Sequence, residues 1–165
     1  MLNKINNTIA CAIIFLSCCF NSAQCESKPT EEDQINIVES IFYNANLPMV
    51  DRGTAAQILS NYYLSKENTR SGLYWAHKGA ECANTKCMFT LSLHYALGDG
   101  VVLDTAESYK WAFLASALGD KTCRDIINKT VKEMQYGHHE KQYFEEGTRK
   151  AKLWMNEHQD LFISP

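Results

Sequence analysis

The stretch YALGDGVVLDTAESYKWAFLASALGD, Tyr95–Asp120, decides the fold. An apolar run ends at Leu97, and two glycines follow at Gly98 and Gly100. Gly98 stands where a helix end needs the left-handed conformation, and Gly100 permits a second tight backbone step. Asp104 is then placed to cap a new helix, with Glu107 three residues on. Gly119 ends that helix and Asp120 caps the next one. Between these punctuation marks the helix carries small residues, Ala115 and Ser116, that let neighbouring helices approach closely. Leu91, Tyr95 and Trp111 are the bulky groups that fill the space around them. The G-D-G element also suggests a calcium loop, but the acidic spacing of an EF-hand is missing and no Glu closes the loop.

Outward from this stretch the pattern repeats. Trp75 and Trp111 are 36 residues apart. The same shift lays Ala76 on Ala112, Gly79 on Ala115, Ala80 on Ser116, Asn84 on Asp120 and Cys87 on Cys123. A fixed period in the thirties, built of two helices, is the mark of an α-solenoid. One such helix pair cannot bury its own apolar face and must lean on the next. Helical periodicity predicts helices over 54–65, 71–82, 85–97, 105–118, 121–136 and 139–158. Upstream, Thr30 and Asp33 look like an N-cap with an acidic third residue, and Ile35, Val38 and Phe42 follow at helical spacing. No stretch alternates as a strand would, so the expected fold is all-α.

Leu91, Tyr95, Gly98, Gly100, Val101, Asp104, Ala106, Lys110, Trp111, Ala115, Ser116, Gly119 and Asp120 sit in register with a known pattern. In these positions the chain resembles a Sel1-like repeat, a relative of the tetratricopeptide repeat. The likeness covers about residues 54–125, with one good copy and a weaker one before it. The first copy has a shorter loop, Ala83 stands where the second glycine would be, and Ser92 replaces a helix glycine. The resemblance implies a short α-solenoid of antiparallel helix pairs. Phe113, Leu114, Ala117 and Leu118 occupy places the family often gives to charged residues and Gln. A helix apolar almost all round needs cover on two sides. The final helix, with Phe144, Ala151, Trp154 and Met155, is the expected closing element, as in the tails of small exported bacterial proteins of this kind. Cysteine-rich members bridge positions corresponding to Ala80 and Met88, and this chain has no cysteine at either.

The chain's 165 residues divide into a targeting segment (1–25), a linker and helix (26–53), the repeats (54–125) and C-terminal capping helices (126–165). The first part pairs Lys4 with an apolar run, Ile9–Phe20, too short for a bilayer span of ~20 residues. Small residues in NSAQC then offer cleavage after Ala23 or Cys25, so the protein is expected to be periplasmic or secreted. A lipoprotein reading is disfavoured by the residues around Cys18 and Cys19. Four of seven cysteines (Cys11, Cys18, Cys19, Cys25) lie in or beside this segment. That leaves Cys82, Cys87 and Cys123, an odd number and no dense disulfide framework. Cys82 and Cys87 are the candidate pair, and the plainer reading of these cysteines is small buried thiols. A net charge of −3 with no basic block argues against a nucleic-acid partner.

Other candidate chemistry is sparse. His138 and His139 are adjacent, which splays them about 100° apart on a helix, unlike a zinc-binding i, i+4 pair. Glu140, Glu145 and Glu146 face Lys141, Arg149 and Lys150 as a solvated surface. His77 and His94 are single histidines in repeat helices, read as packing or surface residues. Asn128-Lys129-Thr130 is a glycosylation sequon that matters only in a eukaryotic host. The aromatics are more telling. Tyr62, Tyr63, Tyr74, Trp75, His94, Tyr95 and Trp111 must divide between core and surface, and Tyr62, Tyr63, Tyr74 and His94 are the candidates for a concave binding face.

The function expected is therefore a non-enzymatic protein–protein interaction module of the bacterial cell envelope, without a cofactor or metal. It would take a protein or peptide on the concave face of the stack, with no membrane span after cleavage. The alternatives are a secreted virulence effector that binds a host protein, and a metal-dependent enzyme built on His138 and His139.

Overall fold

In the computed structural model the described residues are 29–133 and 141–161. The targeting segment, its four cysteines, His138, His139 and Glu140 lie outside them. Among the described residues there are seven α-helices and no strand. They are α1 (Glu31–Tyr43), α2 (Met49–Ser65), α3 (Thr69–Glu81), α4 (Thr85–Leu97), α5 (Thr105–Ala117), α6 (Lys121–Glu133) and α7 (Lys141–Glu157), with a short 3-10 turn at Gln159–Leu161. None is long and apolar enough to cross a membrane.

The chain divides after Gln34 into two compact units. In the first, Thr30 and Asp33 form the expected box. The Asp33 N–H donates to Thr30 Oγ1 at 3.1 Å, and the Thr30 N–H donates to Asp33 Oδ2 at 2.8 Å. The hydrogen bonds from Thr30 hold the Asp33 carboxyl below its usual range. The second unit begins at Ile35 and carries the remaining helices.

Side-chain caps start the helices, and they recur at the repeat spacing. Asn68 Oδ1 accepts from the Ser71 N–H, and Asp104 Oδ1, 36 residues on, accepts from the Glu107 N–H. Asn84 Oδ1 accepts from Cys87 N–H at 3.1 Å, and Asp120 Oδ1 accepts from Cys123 N–H at 3.0 Å. The turn before each of these last two caps is left-handed, at Ala83 (φ 58°) and Gly119 (φ 99°). Gly98 also takes the left-handed cap, with φ 68°. In the shorter first loop Glu67 makes the positive-φ step, at 59°.

Helix α2 begins at Met49 rather than Thr54, so the boundary expected at residue 53 falls inside it. Its first turn, MVDRG, carries no helical stripe, and tertiary contacts explain its conformation. A Cβ on Gly53 would lie 3.1 Å from Cys82 Cβ, and the Asn84 side chain donates to the Gly53 carbonyl at 3.1 Å. The boundary expected at residue 125 likewise falls inside α6.

From α2 to α6 neighbouring helices pack in chain order, and alternate helices also meet: α2 with α4, and α5 with α7. Aromatic contacts run along the odd-numbered helices. Trp75 of α3 meets Phe42 of α1 with ring centres 5.3 Å apart. Trp111 of α5 meets His77 of α3 at 5.5 Å and Trp154 of α7 at 6.3 Å. Trp75 and Trp111, equivalent in the repeat, are each 4% exposed and each reach back two helices. Two buried clusters result. One joins Phe42, Ala56, Leu59 and Trp75. The other joins Met88, Leu91, Trp111, Leu114 and Ala151. Each fully buried leucine contributes roughly 1.5–3 kcal/mol.

Helix α5 receives its second cover from α7, as its apolar circumference requires. Gly147 lets the backbones close in: a Cβ there would lie 2.6 Å from the Ala106 carbonyl oxygen. Tyr109 and Phe144 pack edge to face beside it, with ring centres 5.4 Å apart.

A left-handed alanine costs about 1–2 kcal/mol that glycine does not. Ala83→Gly is therefore expected to stabilise the protein by about 1 kcal/mol in urea denaturation, after glycine's own entropy loss. Unchanged or reduced stability would show that residue 83 does not hold this conformation in solution.

Candidate functional site

The aromatic candidates separate by where their helices place them. Trp75 and Trp111 are core, and Tyr95 packs partly buried against the second cluster. Tyr62 and Tyr63, consecutive on α2, hold their rings edge to face at 5.1 Å. Lys66 Nζ lies 5.5 Å from the centre of the Tyr62 ring. Tyr63 leans on the first cluster, and burial, then Glu39, push its phenol up. Tyr74 is 49% exposed on α3, its ring 5.3 Å from that of Trp75.

His94 has a different task. Its Nδ1 lies 2.9 Å from the Asp99 carbonyl oxygen and 3.2 Å from the Asp99 carboxylate, so it ties the end of α4 to the following loop. His77 packs against Trp111 and Tyr95, and burial lowers its pKa.

Two residues outside the sequence-derived set belong with the tyrosines. Tyr43, at the end of α1, is 61% exposed and meets Phe42 at 5.1 Å and Trp75 at 6.1 Å. The neighbouring Tyr74 hydroxyl, burial and Glu39 together raise its phenol pKa. Glu39 is half-buried one helical turn before Tyr43. The signal available in the sequence was an acid and a tyrosine at i, i+4 beside the Ile35–Val38–Phe42 stripe.

The cysteines are chemically quiet. Cys82, Cys87 and Cys123 are free, buried thiols, so the Cys82–Cys87 bridge is not formed. The two side chains serve different contacts: Cys87 Sγ packs onto Gly79, and Cys82 Cβ packs onto Gly53. Burial pushes Cys87 and Cys123 up to about 12, which keeps both protonated at neutral pH. A shallow depression of about 250 Å³ lies beside Cys82, lined also by Val50, Thr54, Asn84 and Lys86.

Charged groups act mainly between helices or along them. Lys86 Nζ reaches Asp120 Oδ2 at 3.0 Å, joining the first turn of α4 to the cap of α6. On α7, Glu146 pairs with Arg149 and Glu145 with Lys141 on the expected solvated face. Lys150 turns inward and pairs with Glu107 of α5 at 3.0 Å. In the sequon Asn128 is exposed while Thr130 is buried on α6. Among the described residues no three His, Cys, Asp or Glu side chains converge on a metal-sized site.

No known protein family matches this chain, and searches of curated proteins and of solved structures find no match. What the geometry offers is the exposed Tyr43 and Tyr74 rings set edge-on against Trp75, with Tyr63 packed on the same cluster and Glu39 one turn before Tyr43.

Burial opposes ionisation of Asp120, but the Cys123 N–H and Lys86 outweigh it and hold the carboxyl below its usual value. Its contribution is complete above about pH 4 and is lost as pH falls through the folded-state pKa. Asp120→Asn, which keeps the capping oxygen but removes the charge, is expected to flatten the acid limb of the stability–pH curve. An acid limb identical to wild type in melts between about pH 2 and 5 would refute the Lys86–Asp120 assignment.

Proposed function

We propose that this protein is a non-enzymatic interaction module, a short α-solenoid similar to Sel1-like repeats. It takes a protein or peptide segment on its concave face and is exported to the cell envelope of a bacterium by its first 25 residues. The observation that carries the reading is the tyrosine surface. Tyr62, Tyr63 and Tyr74 come from consecutive helices, and none is committed to the buried clusters as fully as Trp75 or Trp111. Tyrosines with two torsions lose little entropy on binding and offer both a ring face and a hydroxyl, which suits them as anchors.

The solenoid reading draws on the recurring devices rather than on overall likeness. Paired caps, paired left-handed turns and paired tryptophans all follow one 36-residue shift. Helix pairs repeated in this way present similar positions side by side, so a binding face extends across helices. His94 holds the α4–α5 loop through Asp99.

The test is affinity capture by the purified protein from envelope and culture fractions, beside a Tyr62→Ala/Tyr63→Ala variant with its melting temperature measured. The expected result is a stoichiometric protein partner lost in the variant, with folding retained. Capture unaffected by the double substitution would remove this face, and stoichiometric zinc in the purified protein would favour a metal-dependent function instead.

A further inference from the structure

Most half-buried carboxylates of the helical unit already have a cation. Glu107 is held by Lys110 at 3.1 Å and Lys150 at 3.0 Å, Asp104 faces Lys150 at 3.8 Å, and Glu146 is held by Arg149 at 2.6 Å. Glu39 differs. It is half-buried on α1, and it has no ion pair among the described residues. From Ile35 to Tyr43 that helix carries no basic residue. The nearby Arg52 is engaged elsewhere, donating to the Phe42 carbonyl at 2.8 Å with its guanidinium carbon 5.5 Å from the Phe42 ring centre.

Tyrosines from three helices gather on the cluster that Glu39 flanks: Tyr43 and Tyr74 meet Trp75, and Tyr63 packs against the same cluster. Tyr43 lies one turn past Glu39 on α1, Tyr63 comes from α2, and Tyr74 sits beside Tyr43 from α3. Glu39 and Tyr43, four residues apart, lie on one face of the helix, and the Glu39 charge is among the causes, after burial, that raise the phenol pKa of Tyr43 and Tyr63. Tyr43 and Tyr74 are exposed, yet both rest edge-on against the buried Trp75. Their faces are therefore held in place before any ligand arrives. A carboxylate lacking a counter-ion, beside fixed aromatic faces, is the surrounding that a guanidinium or ammonium prefers. The carboxylate accepts its N–H bonds while the ring attracts its charge.

We propose that Glu39 and Tyr43, with Tyr63 and Tyr74 alongside, recognise a basic side chain, arginine above all, in a peptide segment of the protein's partner. The proposal rests on the interaction-module reading and names the chemistry of what is bound. The net charge of −3 favours approach of a basic segment, and Glu39 supplies the local selectivity. Arginine suits the site better than lysine, because its planar group can stack on a ring and bond a carboxylate at once.

The test uses isothermal titration of the purified protein with a short Arg-Ser repeat peptide and with the same peptide carrying citrulline, a neutral isostere, for arginine. The expected result is binding of the arginine peptide and about tenfold or greater weakening in Glu39→Gln, the effect of losing a charged hydrogen-bond acceptor. Tyr43→Phe should bind like wild type and Tyr43→Ala should not, because the ring face rather than the hydroxyl meets the cation. Glu133→Gln, on exposed α6, should leave binding unchanged. Equal affinity for arginine and citrulline peptides, no binding of either, or an effect of Glu133→Gln matching that of Glu39→Gln would overturn the proposal. Loss of arginine selectivity while Tyr62→Ala/Tyr63→Ala still abolishes partner capture would remove this proposal alone and leave the interaction module standing.

Discussion

Helix α3 lies where it does because residue 79 has no side chain. A Cβ on Gly79 would collide with Cys87 Sγ on α4 and stand 3.4 Å from Ala56 Cβ on α2. Three helices therefore converge on one glycine, and Ala56, Cys87 and Ala80 are all essentially without exposure there. Close packing of this kind tolerates little added volume. The geometry that follows from it sets how far Trp75 can reach toward Phe42 on one side and how His77 meets Trp111 on the other. One repeat later Ala115 and Cys123 stand at the matching positions, both fully buried in the second cluster. Thiols serve there as small, compact fillers, and burial removes their reactivity.

Much of this was legible in the sequence because it depends on local chemistry. Gly98, Asp104, Gly119 and Asp120 mark helix ends by backbone conformation and side-chain capping, and each does so at its own position. The need of α5 for a second covering helix was visible in its apolar circumference, and α7 meets it through Gly147 and Trp154. The start of α2 was not legible, since MVDRG becomes helical through contacts with Cys82 and Asn84 about thirty residues on. Ala83 shows the same limit in reverse. Its residue type gives no hint of a positive φ, and only alignment with Gly119 in the repeat does.

The candidate face was half legible. Periodicity could list the aromatics, but a tyrosine's fate depends on the helix opposite it. Tyr95 turns into the second cluster, while Tyr74 keeps its ring face exposed above Trp75. His94 is a hydrogen-bonding group spent on its own loop, a role set by the geometry of Asp99. Tyr43 and Glu39 escaped notice because they flank an apolar stripe rather than form it. The same helix thus carries both kinds of residue: Phe42 completes the core, and the next residue, Tyr43, stays exposed. The proposed interaction surface rests on core packing, since Tyr43 and Tyr74 both lie against Trp75.

The central claim is that close approach at Gly79 sets the spacing of the stack, and a double-mutant cycle in urea tests it most directly. Gly79→Val is expected to destabilise the protein by about 1–3 kcal/mol through overpacking, and Cys87→Ala in the same chain should recover much of that loss. Wild-type stability in Gly79→Val, or strictly additive effects of the two substitutions, would contradict the claim.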